Sequence, residues 1–325
     1  MQVNLNRKNV QNEGSPMTLR IILDCDPGHD DAVAILLAAG NPHVEIAAIT
    51  TVGGNQTLEK VTRNALGIAT LAGISAPIAA GCATPLVRDL VTSPEIHGES
   101  GLDGVTLPEP AMELDRRHAV DVMIDVVMSA EPGTITLVPT GPLTNIAMAM
   151  RKQPEIIGRV REVSLMGGGM NLGNATTAAE FNILVDPEAA NLVFSAPWQV
   201  TMVGLDVTHE AQATPDVVDR FRELGTPIGN FVVDLMAFFI ESNKLEQRFT
   251  APPVHDPVAL ARVIDPSIVD TLNAKIVVET EGTYTTGMTL VERRPWINHV
   301  STTHVATGLD VAKFWDLVID SIGRL

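Results

Sequence analysis

The sequence predicts an α/β protein with a mostly parallel central sheet, helices on both faces, an open Rossmann-like core and a few added C-terminal strands. Three observations predict it. Short apolar runs alternate with helical periodicity through roughly the first two-thirds of the chain. The run Arg20-Ile21-Ile22-Leu23 reads as a buried strand that passes into an acidic turn and then a helix. The polar clusters at 24–31, 53–55, 140–145, 167–182 and 255–256 mostly follow strand ends, where open α/β sheets bind ligands.

In order, Leu19–Asp24 reads as the first strand and Asp30–Ala39 as the first helix. Val44–Val52 is the next strand, and Thr57 is placed to cap a helix over Leu58–Leu71. Pro77–Ala80 is a short strand. Residues 82–115 lack sustained periodicity and read as a long loop, a feature that is often functional. His118–Ser129 is helical and Thr134–Pro139 a strand. Pro142 suits the first turn of a helix that runs through Met150. Val163–Met166 is a strand, Met170–Ala179 a polar loop, Asp186–Phe194 a helix and Val200–Val203 a strand. Pro215–Leu224, Pro227–Leu245 and His255–Val263 are helices. Val277–Glu279, Thr286–Val291 and His299–Ala306 alternate like strands, and a helix with Phe314 and Trp315 closes the chain.

The chain has 325 residues and no repeat, low-complexity linker or charge block that marks a boundary, so residues 17–325 read as one domain. Residues 1–16 are polar, lack the apolar region of a secretory signal and read as a disordered extension. Aromatic residues are only 4% against 45% hydrophobic, so the core must be aliphatic. The formal charge is 22 − 39 = −17, which argues against a nucleic-acid partner and for a neutral small molecule. Cys25 and Cys82 have no metal-finger spacing and read as reduced thiols of a cytoplasmic protein. No apolar run is long enough to span a membrane.

The acidic turn places Asp24, Asp26, Asp30 and Asp31 within eight residues. Carboxylates this close repel one another unless a positive charge sits among them, and oxygen-only ligation suits Ca²⁺ or Mg²⁺. Capping of the following helix is the lesser, competing reading for Asp30 and Asp31, and it does not account for Asp24 and Asp26. His255-Asp256 at a helix start is either a proton donor beside a metal ligand or a capping Asp with a half-exposed His. His97, in the long loop, has the same two readings. Asn55, Asn174, Glu180 and Asn182 suit a polyhydroxylated ligand, and asparagines in glycine-rich loops are also ordinary turn residues.

Asp24-Cys25-Asp26-Pro27-Gly28-His29-Asp30-Asp31-Ala32 resembles the N-terminal signature of the nucleoside hydrolases of the inosine-uridine-preferring type. Further motifs follow in the family's order: Gly54-Asn55-Gln56-Thr57, Ile96-His97-Gly98-Glu99, Leu137–Gly141, Leu165–Gly168, Ala179–Asn182, Asp186–Ala189 and Val254–Pro257. The resemblance implies the nucleoside hydrolase fold and Ca²⁺-dependent hydrolysis of ribonucleosides to ribose and free base, in salvage or catabolism. It implies Asp26, Asp31, Asp256 and the Thr140 carbonyl as calcium ligands. Asp30, Asn55, Asn174, Glu180 and Asn182 would bind ribose hydroxyls, Met166 would pack on the sugar, and His97, Phe181 and His255 would lie near the base. It also implies a homodimer or homotetramer. The chemistry agrees: N-glycosidic cleavage develops positive charge on the ribose, which an acidic pocket stabilises. Asp26 would deprotonate a metal-activated water and His255 would protonate the leaving base.

There is one departure. Some purine-accepting relatives carry leaving-group tyrosines where this chain reads Phe238 to Phe249 without any, and Tyr284 is its only tyrosine. That leaves base preference open. Two other readings compete. A Mg²⁺-dependent phosphatase of the haloacid-dehalogenase type shares the strand-end Asp24-Cys25-Asp26, but Gly28 stands where that family has Thr or Val. A non-catalytic, calcium-dependent nucleoside- or sugar-binding protein would bind ribose without turnover.

Overall fold

The computed structural model describes residues 18–297 and 301–325. The N-terminal extension expected over residues 1–16 lies outside them, as do the first two residues of the segment expected to begin at His299. Six parallel strands come first: β1 (Leu19–Cys25), β2 (Val44–Thr51), β3 (Ile78–Ala80), β4 (Ile135–Pro139), β5 (Val160–Met166) and β6 (Val200–Val203). Near the C-terminus follow β7 (Val269–Asn273), β8 (Ile276–Val278), β9 (Thr289–Val291) and β10 (Thr303–Leu309). The main sheet has the order β3-β2-β1-β4-β5-β6-β10-β7, with β10 parallel to β6 and β7 antiparallel at the edge. β8 and β9 form a separate antiparallel pair. The chain winds outward from β1 in one direction and from β4 in the other. The crevice between their carboxyl ends is therefore the switch point at which such sheets bind ligands.

The sheet is covered on both faces. Ile21, Leu23 and Cys25 join the core beneath helices α1 (His29–Gly40) and α2 (Leu58–Leu71), while Ile22 belongs to the opposite core. That split is the period-two alternation of a strand buried on both sides. The short α3 (Pro94–His97) lies within the 82–115 segment. The second core is built by α4 (Ala119–Ser129), α5 (Thr144–Lys152) and α7 (Pro187–Ser195), with α6 (Phe181–Val185) just before α7. A single helical turn, α8 (Leu205–Thr208), follows β6. The first core is completed by α9 (Pro215–Glu223), α10 (Pro227–Glu246), α11 (Asp256–Ile264) and α12 (Val311–Ile322). Helix α1 is buried from His29 to Ala38, because α11 and α12 enclose what would be its solvent face. No described helix is long and apolar enough to cross a membrane.

Several boundaries differ from expectation. Helix α5 begins at Thr144, two residues after Pro142, because Leu143 takes the N-cap position. Thr57 stands at the N-cap of α2 but its side chain makes no cap hydrogen bond. The long loop carries α3, started by Pro94, so His97 sits on a helical turn. Strand β7 has no counterpart in the expected elements. Its residues Asp270 to Asn273 are exposed or at an edge, so the apolar run that would mark it is missing. Cys25 and Cys82 are both free thiols, as expected.

Candidate active site

The turn between β1 and α1 sets the site. Pro27 and Gly28 reverse the chain, and the backbone N–H of Gly28, at the N-cap of α1, donates to Asp31 Oδ2 at 3.0 Å. Asp31 thus does part of the capping that the simpler reading assigned to it, yet its other oxygen, Oδ1, accepts from Thr140 Oγ1 at 2.8 Å across the switch point. Asp26 Oδ2 accepts from the Asn55 backbone N–H at 2.6 Å. Its Oδ1 is buried without a hydrogen-bond partner, as is Asp30 Oδ1. Asp24 is separated from this group: its Oδ1 accepts from Thr50 Oγ1 and Asn145 Nδ2 on the α5 side. The second loop is cut to fit. A Cβ on Gly54 would stand 2.1 Å from Asp26 Oδ2, and one on Gly141 would stand 2.5 Å from Oδ1.

Helix α11 brings Asp256 to the same place. Carboxylate oxygens of Asp30, Asp31 and Asp256 lie within 4.8 Å of one another. His255 holds the N-cap position without a side-chain cap bond, so Asp256 is not a capping residue. Burial, then mutual repulsion, pushes Asp26 and Asp256 well above the usual carboxylate range. Burial also raises Asp31, and it raises Asp24, Asp30 and Glu180 to about 7. The lysine and arginine ion pairs among the described residues all lie elsewhere. Asp30, Asp31 and Asp256 therefore form an acidic cluster fitted to a hard cation that prefers oxygen donors, with Asp26 outside that trio and unpartnered oxygens on Asp26 and Asp30.

Over this floor lies a cavity of about 340 Å³. Every residue expected at the site lines it except Asp26 and Asp31, which lie behind the wall. Asn182 is fixed by its amide, which donates to the Thr140 carbonyl at 2.7 Å and the Met166 carbonyl at 3.2 Å. The Thr140 carbonyl keeps a second lone pair for a ligand. Glu180 caps α6 through the N–H groups of Asn182 and Ile183, and its Oε2 also accepts from Gly168 N at 2.9 Å. Asn174 Oδ1 accepts from Phe181 N at 2.9 Å, tying the 170–179 loop to α6.

Burial disfavours the charged form of three histidines at the site. Burial lowers His255 to about 3 and His29 to about 4, and takes His97 well below its ordinary value. His255 Nδ1 is 2.7 Å from Thr208 Oγ1, and if that hydroxyl donates, the ring proton is on Nε2. His29 Nε2 is 3.0 Å from the Asp103 carbonyl, which can only accept. His29 Nδ1 meets His97 Nδ1 at 3.2 Å, while Phe238 and Phe239 stack on the His29 ring. Sequence reasoning missed His29, Thr208, Phe239 and Asn243. His29 stood inside the acidic motif, but only tertiary packing shows that it faces His97. Phe239, Asn243, Glu246 and Gln247 bring the tyrosine-free end of α10 and the residue after it to the cavity. Tyr284 is 89% exposed and does not line it.

Comparison with known proteins agrees with this geometry. The family model described as inosine-uridine preferring nucleoside hydrolase matches residues 21–316. The inosine-uridine preferring nucleoside hydrolase of Crithidia fasciculata is 55% identical over 312 residues, 95% of this chain and 99% of that protein. A pyrimidine-specific ribonucleoside hydrolase of Escherichia coli is 44% identical over 94% of this chain and 99% of its own length. Among solved structures, a purine-preferring ribonucleoside hydrolase from Gardnerella vaginalis superposes with a TM-score of 0.88 at 35% identity, covering 94% of this chain and 98% of that one.

Proposed function

The chain belongs to the inosine-uridine preferring nucleoside hydrolase family and hydrolyses ribonucleosides, and from that premise we propose how its pocket does so. The observation that carries the proposal is the convergence of Asp30, Asp31 and Asp256 at the switch point, together with buried, unpartnered oxygens on Asp26 and Asp30. Asp26, Asp31, Asp256 and the Thr140 carbonyl would hold Ca²⁺, which when bound would supply polarisation of a water and attachment of the ribose 2′- and 3′-hydroxyls. Asp30, Asn55, Asn174, Glu180 and Asn182 bind the sugar hydroxyls, with Met166 against the ring. As the C1′–N bond lengthens, the surrounding carboxylates stabilise the positive charge on the ribose. Asp26 takes the proton of the attacking water, which adds from the opposite face and inverts C1′. His97, Phe181 and His255 lie at the base. His255, whose charged form burial disfavours, assists the departing base by supplying it with a proton.

The same reading takes residues 17–325 as one domain, working as a homodimer or homotetramer in the cytoplasm. The haloacid-dehalogenase reading falls with the family match. Turnover of inosine, uridine, cytidine and adenosine, with and without a chelator, tests the proposal. Release of free base that stops on chelation and returns with Ca²⁺ is expected. Undiminished release in chelator would remove the metal from the mechanism, and ribose binding without any release would restore the non-catalytic alternative.

A further inference from the structure

We propose that Thr208 is a positioning residue for the leaving-group step: its hydroxyl holds the His255 ring so that Nε2–H, and not Nδ1–H, is presented to the departing base. The inference rests on the role given to His255 above and adds a residue that role does not use. Thr208 Oγ1 lies 2.7 Å from His255 Nδ1. It is the only hydrogen-bond partner of that side chain among the described residues, since His255 makes no side-chain cap bond on α11. The neighbouring His209 offers no substitute: its ring centre is 5.6 Å from that of His255, and the rings are tilted by 56°. Without Oγ1, nothing would choose between the tautomers of His255 or between the flips of its ring.

The threonine is itself held. It ends α8, and that turn is fastened to the 167–171 stretch. Leu205 N donates to the Gly168 carbonyl at 2.9 Å, and a Cβ on Gly204 would stand 2.7 Å from the same oxygen. Asp206 accepts from Met170 N at 2.5 Å and from Asn171 Nδ2 at 2.6 Å. Thr208 N donates to the Gly204 carbonyl at 3.1 Å, and the residue is fully buried. One turn therefore anchors both the His255 ring and the start of the 170–179 loop, which carries Asn174. Thr208 does not line the cavity, whereas His255 does. Nδ1 is thus turned to the protein, and Nε2 is left for the cavity. A hydroxyl also suits both states of the ring, donating to a bare Nδ1 and accepting from a protonated one.

The test uses the full chain with Ca²⁺ and compares Thr208→Val, Thr208→Ser, His255→Ala and Thr208→Val/His255→Ala on uridine, inosine and a nitrophenyl riboside. Thr208→Val should lower kcat on uridine and inosine by about 10–100-fold, through lost orientation, with KM within about twofold of wild type. The nitrophenyl riboside should slow by less than about threefold, because its leaving group needs no proton. Thr208→Ser keeps the hydroxyl and should recover to within about threefold of wild type. The double variant should be slower than His255→Ala by no more than about twofold, since Thr208 acts only through that ring. Nitrogen NMR of labelled histidine, with His255→Ala assigning the signal, should show one tautomer in the wild type and a mixture in Thr208→Val. Thr208→Ala, which also lacks the hydroxyl, carries the same expectations if the valine variant does not fold. Undiminished turnover of uridine and inosine by Thr208→Val overturns this inference alone. So does equal slowing of nucleosides and nitrophenyl riboside, an additive loss in the double variant, or an unchanged tautomer. If His255→Ala itself slows all three substrates equally, the role of His255 falls, and this inference falls with it.

Discussion

Asp26 has one oxygen tied to the Asn55 backbone and one with no partner, an arrangement that makes sense only if something arrives to use the second. Replacement by Ala is expected to lower kcat by about 10²–10⁴-fold, the range for loss of a general base, and to weaken Ca²⁺ in a calorimetric titration. Turnover retained with metal bound would remove Asp26 as the base. Gly54→Ala should do similar damage without touching a functional side chain, since its methyl would stand 2.1 Å from Asp26 Oδ2. His255→Ala separates leaving-group assistance from the rest. It should slow uridine and inosine far more than a nitrophenyl riboside, whose leaving group needs no help. Equal slowing of both would take His255 out of that role. Most of these residues were legible in the sequence because carboxylates crowded on a turn are chemically conspicuous. His29 and Thr208 were not, because a histidine or threonine acquires meaning only from the atom opposite it.

At the scale of elements, the site depends on where short helices start. Asp186 caps α7 through Ala189 N at 3.0 Å and also accepts from Thr144 Oγ1 and Leu86 N. It therefore joins α5, α7 and the 82–115 segment without reaching the cavity. Asp186→Ala removes a cap and leaves the buried Thr144 hydroxyl and the half-buried Leu86 N–H without their acceptor, which should cost about 2–4 kcal/mol. Urea unfolding would measure that, while KM for a good nucleoside should barely move. A KM shift as large as the stability loss would place Asp186 in the binding machinery instead. The elements that the sequence placed well, such as β1 and α1, have continuous apolar runs bounded by turn residues. The ones it misplaced are short. Helices α3 and α6 last four and five residues, too few for a periodic pattern, and their tertiary contacts hold them.

The whole molecule carries an electrostatic cost that its cation should relieve. Asp24, Asp30 and Glu180 have folded values near 7, above their unfolded values near 4, so between those limits the folded chain binds more protons than the unfolded one. Stability contributed by these groups therefore falls as pH rises from about 4 to 7. Metal-free protein should melt at a lower temperature at pH 7.5 than at pH 5.5. Added Ca²⁺ should raise the melting temperature, and raise it more at the higher pH, because only ionised carboxylates bind it strongly. A calcium effect independent of pH, measured by scanning calorimetry, would mean that these acids do not share the ion's field.

By itself the sequence determined the layered α/β architecture, the acidic turn as the seat of the chemistry and the ordered motifs that mark the family. Those properties are local: apolar runs, turn residues and carboxylate spacing are written along the chain. Only the tertiary structure decided which acids meet. Carboxylate spacing alone did not separate Asp24 from Asp26, although the family motifs did; in the fold Asp24 turns to Thr50 and Asn145, while Asp256, distant in sequence, joins Asp30 and Asp31. It also decided that the last turns of α10 close the cavity with Phe239, Asn243 and Glu246. Such partnerships depend on how a strand end and three helix ends are aimed at one point, and aim is a property of packing.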